Sequence, residues 1–341
     1  MVRKAKKQSI TMRDVGRLAG VSQTTVSFVV NNVESGNIPP ETRERVKSAM
    51  AELGYRPNAV AQGLRRQRTN TIGFITDEIA TTPFAGQMIE GAQVAAWEHD
   101  KILLMVNTTG NPTIEDAAIE MLLERKVDGI IYATMYHRPV NPPPDLREAP
   151  TVLLDCFAED RSFPSVVPEE VGGGCTATSY LLRKGHQRIG FINHPHLIPA
   201  TIGRLNGYQE ALASFGIPYD PALVCADQSE SEGGYNGTMR LMKLPDPPTA
   251  IFCFNDRAAM GAYDALRKLG LSIPEDVAVV GFDNQEVIAA HLYPPLTSVQ
   301  LPHYEMGAWA MRHLIDSLNR PEDPTPIQHQ IECPLVERES A

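Results

Sequence analysis

The sequence predicts an α/β protein in two parts: a small N-terminal helix-turn-helix head, then a short linking segment and two successive doubly wound parallel-sheet lobes. Three observations lead there. Residues 12–31 have the spacing of two short helices packed across a sharp turn; from Thr71 onward, short β-branched runs alternate with amphipathic helical stretches; and the charge divides at the same border. Residues 1–69 hold 13 Lys or Arg against 5 Asp or Glu, net +8. That leaves 18 of the chain's 31 basic residues and 36 of its 41 acidic ones beyond Thr69, net −18. A basic head on an acidic body confines contact with a polyanion to one end.

Within MRDVGRLAGVSQTTVSFVVN, Val15, Leu18, Ala19, Val21, Val26 and Val29 recur at helical spacing and define an expected apolar seam. Gly16 falls where the second helix must cross the first at close range, and Gly20 where the chain must turn. Ser22 opens the second helix, with a hydroxyl able to cap the amides near Thr24 and Thr25. Spacing alone fits a helical hairpin used only for packing. The solvent face decides between the two readings: Gln23, Thr24, Thr25 and Ser27 are uncharged hydrogen-bonding groups suited to base edges, where a merely solvated face more often carries Glu and Lys. The second helix is therefore expected in the major groove of double-stranded DNA. Pro39 and Pro40 precede a third helix with Val46, Ala49, Met50 and Leu53 on one face, and Gly54 ends it. The head thus spans 1–56. In 57–70, Asn58 is an N-cap candidate followed by Val60, Ala61 and Leu64, too short a helix to be stable alone, and Gly63 weakens it further. Two readings stand: a plain basic linker, or a hinge helix that folds only when DNA and a partner chain hold it.

The remainder, 71–341, runs TIGFIT, PFAGQMIEGAQVAAWEH, ILLMV, PTIEDAAIEMLLERK and VDGIIYA, then a Pro-rich loop (Pro139 to Pro150) and TVLLD. It resumes with TATSYLLRKG, RIGFIN, a helix around Gly207 to Phe215, ALVC, GGYNGTMRLMK, TAIFCF, DRAAMGAYDALRKLG and VAVVGF. So many strand–helix pairs exceed one sheet. In such lobes ligands bind beyond the carboxyl ends of the strands. Those ends carry Asp77, Asp155, Asn193, Asn255, Asp256 and Asp283. Each alone is a common cap or turn former; together on one rim, with Arg204 as a fork of donors, they suit a small polyhydroxylated ligand.

Other classes are excluded by what the sequence lacks. No stretch is long and apolar enough to span a bilayer, and the basic N-terminus has no apolar run after it, so no membrane is expected as partner and the cytoplasm is the expected location. The five cysteines are scattered and never in a CxxC, which argues for reduced packing thiols. His194 and His196 lack a third ligand at matching spacing, and no nucleophile-elbow or Ser-His-Asp pattern is present. The adjacent acids Glu169 and Glu170 point apart. No metal, cofactor or enzymatic activity is expected.

From about Thr11 to its C-terminus the chain resembles the LacI/GalR family of bacterial transcription regulators. The motifs are TMRDVGRLAGVSQTTVSFVVN and ETRERVKSAMAELGYRPNAVAQGL in the head, and KGHQRIGFI, RLNGY, FNDRAAMGAYDALRKLGLSIPEDVAVVGFDN, PPLTSVQLPHYEMG and PLVERES in the body. The resemblance implies base contacts by Gln23, Thr24 and Phe28 beside Ser22, Thr25 and Ser27. It implies a hinge helix bearing Asn58, Ala61 and Leu64, with Leu64 wedged into the minor groove. It also implies an effector site of Asp77, Phe84, Asp155, Arg204, Gln228, Asn255 and Asp283. The body would be a periplasmic-binding-protein-like core crossed three times by the chain, lobe one at about 71–167 and 300–328, lobe two at about 168–299 and 329–341. A homodimer on a near-palindromic operator follows, without the extra coil of tetrameric members, since the stretch after Ile331 is too short for heptads.

Four departures from the family pattern bear on specificity. Phe28 stands where arginine is frequent, DEIATTPFAG replaces D-x-x-N-P-F-F-A, PEEVGGG replaces D-N-x-x-G, and Gln228 stands where several members place an aromatic. The implied function is a repressor whose operator affinity falls when a small sugar or glycoside binds. The alternatives are a corepressor-dependent regulator taking a nucleobase or other metabolite, and a non-regulatory sugar-binding protein.

Overall fold

The computed structural model describes residues 10–31, 37–56, 68–79, 82, 85–319 and 326–341, and the chain divides into two units, Met1–Asn70 and Thr71–Ala341. The first unit has three helices: α1 (Met12–Ala19), α2 (Gln23–Val30) and α3 (Pro40–Leu53). Thr11 and Asp14 form a reciprocal capping box at the start of α1, each side chain accepting from the other's backbone amide. Gly20 ends α1 in the left-handed region at φ 68°, which the turn requires. A Cβ on Gly16 would come within 2.8 Å of the Val21 carbonyl, so only glycine lets the chain fold back this tightly. Val15, Val26 and Val46 are fully buried, with Ala19, Val29 and Ala49 around them. Leu18 does not join this seam: it is 46% exposed. It sits about 100° round the helix from Ala19, which takes the inward position. The hinge residues Asn58, Ala61 and Leu64 lie outside the described residues.

The second unit contains β1 (Thr71–Thr76), α4 (Gly86–Trp97), β2 (Ile102–Asn107), α5 (Pro112–Glu124), β3 (Gly129–Val140), β4 (Thr151–Ala158) and β5 (Ser165–Pro168). It continues with α6 (Glu170–Arg183), β6 (Ile189–Asn193), α7 (Pro199–Ser214), β7 (Val224–Ala226), α8 (Ser231–Leu241), β8 (Ala250–Cys253), α9 (Asp256–Leu269) and β9 (Ala278–Asp283). The last elements are α10 (Glu286–Ala289), β10 (Thr297–Gln300), α11 (His303–Asn319), β11 (Gln328–Ile331) and β12 (Leu335–Val336). Two six-stranded sheets result, β11-β5-β4-β3-β1-β2 and β12-β10-β9-β8-β6-β7. Their pairings are parallel except β10 with β12.

Helices cover both faces, so the inner strands are apolar throughout, as TIGFIT and VAVVGF already read. In the first sheet Phe74, Ile131 and Leu154 pack with Met88, Met306 and Met311 on one side, while Ile75, Ile130 and Leu153 pack with Ile119 and Leu122 on the other. In the second, Phe191 and Phe252 stack at 4.5 Å amid Tyr208, Val280 and Phe282.

The lobe borders differ in detail from expectation. Residues 329–331 were expected in lobe two, yet Gln328–Ile331 pairs along β5 in the first sheet, and Gln300 pairs with Asp283 in the second. Strand pairing sets these borders, and the crossings fall after β5, after β10 and between β11 and β12. β5, β10, β11 and β12 are too short to show a period of their own. β3 runs on into the Pro-rich stretch through a register shift between Ala133 and Arg138. That irregularity matters for the site, because bulges re-aim the side chains beside them.

Candidate functional site

The first candidate surface is α2. Ser22 Oγ accepts from the Thr25 amide at 3.0 Å and lies 2.9 Å from Thr25 Oγ1. Asn31 Nδ2 donates to the Ser27 carbonyl at 2.7 Å and reaches Ser27 Oγ at 3.3 Å. Gln23 and Thr24 are exposed, whereas Thr25, Ser27 and Phe28 are half-buried. Of the polar face expected from sequence, Gln23 and Thr24 are therefore the groups presented most fully to solvent.

The second is a cleft of about 640 Å³ between the two sheets' carboxyl ends. Lobe one supplies Met135, Tyr136, His137 and Asp155; lobe two supplies Glu170, His194, His196, Arg204, Phe254, Asn255, Arg257 and Asp283. Arg204 is its centre. Buried at 3% exposure, it donates from Nε to Glu170 Oε2 at 2.8 Å and from Nη1 to the Phe254 carbonyl, with Asp283 Oδ1 3.8 Å away. Its guanidinium lies 3.6 Å over the Phe282 ring and 4.4 Å from that of Phe254. Behind it, Asp256 accepts from Ser298 Oγ and the Gln285 amide, both at 2.6 Å, and Asn255 caps α9 through the Ala258 amide at 2.8 Å.

Burial alone would raise the Glu170 pKa, but the Arg204 guanidinium and His137 beside it hold it below the usual carboxylate range. Asp155 has no such cation at contact distance. Burial, and then the charge of Glu170, push its carboxyl well above the ordinary value. Asp283 rises to about 6 by burial, with Arg204 pulling the other way. His194 is pushed down by burial and by His196. Among the described residues, three buried side-chain atoms of cleft residues have no hydrogen-bond partner: His137 Nδ1, Asp155 Oδ1 and Arg257 Nε. Buried polar atoms are rarely left so, and these are candidate contact points for a ligand's polar groups.

Of the effector residues expected from sequence, Asp155, Arg204, Asn255 and Asp283 meet in this cleft. Asp77 stands beside it, with Oδ2 bound by Arg138 at 2.9 Å, while Glu78 lines the cleft. Gln228 is not among the lining residues; Ser229 is. The Gln228 backbone lies so close to Gly233 that a Cβ there would overlap its carbonyl, which ties the segment to α8. Asn193 turns inward to bind the Thr201 carbonyl, and Phe84 lies outside the described residues. His137, Glu170, His194, His196 and Arg257 also line the cleft, although the sequence did not point to them as ligand residues. The available signal was PEEVGGG, where Glu170 replaces an expected pattern, and the His194–His196 pair, considered only for metal. Among the described residues no cluster suited to a metal ion occurs.

With this geometry in place, comparison with known proteins identifies the class. Residues 11–58 match the model of "Bacterial regulatory proteins, lacI family", and residues 69–339 that of "Periplasmic binding proteins and sugar binding domain of LacI family". The chain belongs to the LacI family and is a DNA-binding transcriptional regulator.

It is 36% identical to the HTH-type transcriptional regulator RegA of Clostridium saccharobutylicum, over 97% of this chain and 98% of that one. It is 34% identical to the ribose operon repressor of Escherichia coli (strain K12), over 97% and 99%. A crystal structure of the lac repressor dimer bound to operator and the anti-inducer ONPF superposes with TM-score 0.77 at 27% identity, covering 98% of this chain and 99% of that one.

Proposed function

We propose that this regulator is a homodimeric repressor, working in the cytoplasm, whose affinity for a near-palindromic operator is lowered by a small neutral sugar held in the cleft. One observation carries the effector reading: His137 Nδ1 and Asp155 Oδ1 of lobe one and Arg257 Nε of lobe two lack a hydrogen-bond partner among the described residues and line a cleft in which Arg204 and Asp283 are already held in place. Donors and acceptors both line it, which suits hydroxyl groups that do both. Asp155, Arg204, Asn255 and Asp283 are the effector contacts in this reading. The name of the ribose operon repressor adds support, as does the operator-bound dimer among the structural neighbours. Edge strand β2 leaves Ile102 and Met105 exposed, an apolar margin that a second copy would cover.

On the DNA side, Gln23 and Thr24 read bases, and Leu64 is the minor-groove wedge. Changing Gln23 or Thr24 alters base preference by about 1 to 3 kcal/mol per good contact; equal weakening on all sequences counts against direct readout. A thermal-shift screen of pentoses, hexoses, disaccharides and nucleosides tests the effector reading, since a ligand at 100 times its Kd adds about 2.7 kcal/mol. Stabilisation by nucleosides and by no sugar favours the corepressor alternative.

A further inference from the structure

Glu170 begins α6 just past the first lobe crossing and is 5% exposed. Its Oε2 is engaged by Arg204 Nε. Its Oε1 faces His137 Nδ1 across 3.7 Å, too far for a hydrogen bond. His137 Nδ1 and Asp155 Oδ1 are both buried and without a hydrogen-bond partner among the described residues. The three residues reach the cleft by separate routes. His137 lies within the irregularity in β3, Asp155 sits in β4 with φ 58°, and Glu170 opens a helix. A non-glycine residue at that φ is strained, and such strain concentrates where a side chain must be aimed.

We propose that Glu170, with His137 and Asp155, forms an inter-lobe subsite that sets effector specificity by binding two adjacent hydroxyls of the sugar. This rests on the sugar-effector reading and deepens it. The chemistry of the three groups selects the class. Glu170, held ionised by Arg204, only accepts. Asp155, which burial and Glu170 push toward its protonated form, accepts and, when protonated, also donates. His137 Nδ1 donates or accepts according to tautomer. Two hydroxyls match this set. An ammonium has no acceptor for the Asp155 proton, and a carboxylate would be repelled by Glu170. A Glu170 that only braced Arg204 would have no such selectivity.

Titration calorimetry on the full chain tests the subsite, using d-glucose with its 2-, 3- and 4-deoxy derivatives, d-glucosamine, and d-ribose with 2-deoxy-d-ribose. The wild type is expected to prefer at least one parent sugar about 100-fold or more over a singly deoxygenated form. Glu170→Gln and His137→Gln are each expected to cut that ratio at least tenfold. His137→Gln leaves the Arg204 bonds untouched, so it keeps the test valid if Glu170→Gln fails to fold.

Equal weakening of parent and deoxy sugars in both variants overturns the subsite and leaves Glu170 a brace. Tighter binding of d-glucosamine than of d-glucose overturns the diol assignment. If no sugar binds the wild type, the effector reading fails instead, and the subsite is judged on the ligand-free protein. There, carboxyl-carbon NMR should show Asp155 titrating lower in His137→Gln combined with Glu170→Gln than in His137→Gln alone. An unmoved midpoint means that the groups do not converge.

Discussion

The two lobes share one architecture but prepare their sides of the cleft differently. In lobe two the charged groups are held before any ligand arrives: Glu170 and the Phe254 carbonyl fix Arg204, and two short hydrogen bonds fix Asp256. In lobe one, Asp155 is buried and His137 half-buried, and each keeps an atom with no hydrogen-bond partner among the described residues, as Arg257 Nε also does in lobe two. On the proposed reading, the difference teaches that the part of the cleft around Arg204 is organised in advance to dock an effector, while the part around His137 and Asp155 would be completed by it. A ligand that satisfies both walls stabilises the closed arrangement over the open one, and only such a difference in affinity can shift a conformational equilibrium.

Arg204→Ala should have the largest effect. It removes the cation from a buried pair and leaves Glu170 and Asp283 uncompensated, at a cost of about 3–5 kcal/mol. Sugar response should also be lost, while operator binding by the folded fraction persists. Thermal denaturation and operator anisotropy measure the two, and a stability loss below about 1 kcal/mol would break the claim of a prearranged wall.

The next effect is a pH dependence on the same wall. Asp283 titrates near the ordinary aspartate value when unfolded and near 6 when folded. Between those values only the folded state holds the proton, so this contribution is complete at the acid end and falls as pH rises to about 6, on the order of 1.4 kcal/mol per unit of separation. The stability difference between wild type and Asp283→Asn should therefore shift against the wild type from about pH 4 to 6 and level off above. A flat difference would contradict it.

Asp155→Asn should have the smallest effect on stability, within about 1 kcal/mol, because the carboxyl it replaces already favours its neutral form. Effector affinity should fall nonetheless. A large loss of stability would erase the contrast between the walls.

Much of this was readable in the sequence. Glycine and capping signals located the turn between α1 and α2, the rule that ligands sit at strand carboxyl ends brought out Asp155, Asn255 and Asp283, and Arg204 came from its donor chemistry and the family resemblance. The misses have a common cause. Glu170, His137 and Arg257 lie at helix starts or past a bulge, where direction is set by packing between distant segments and not by local period. Gln228 was placed by resemblance, yet its backbone is fixed against α8. Leu18 fitted the helical spacing but missed the seam by one position, and β11 was assigned to the wrong lobe because four residues carry no signal of which sheet they join.

The central claim is that the completed cleft and the operator are coupled through one conformational equilibrium. Its direct test is to titrate the sugar selected by the thermal screen into the dimer, with and without saturating operator. Induction requires operator to weaken sugar binding by the same factor by which sugar weakens operator binding. Equal sugar affinities in the two titrations would contradict the coupling, and tighter binding on DNA would reverse its sign.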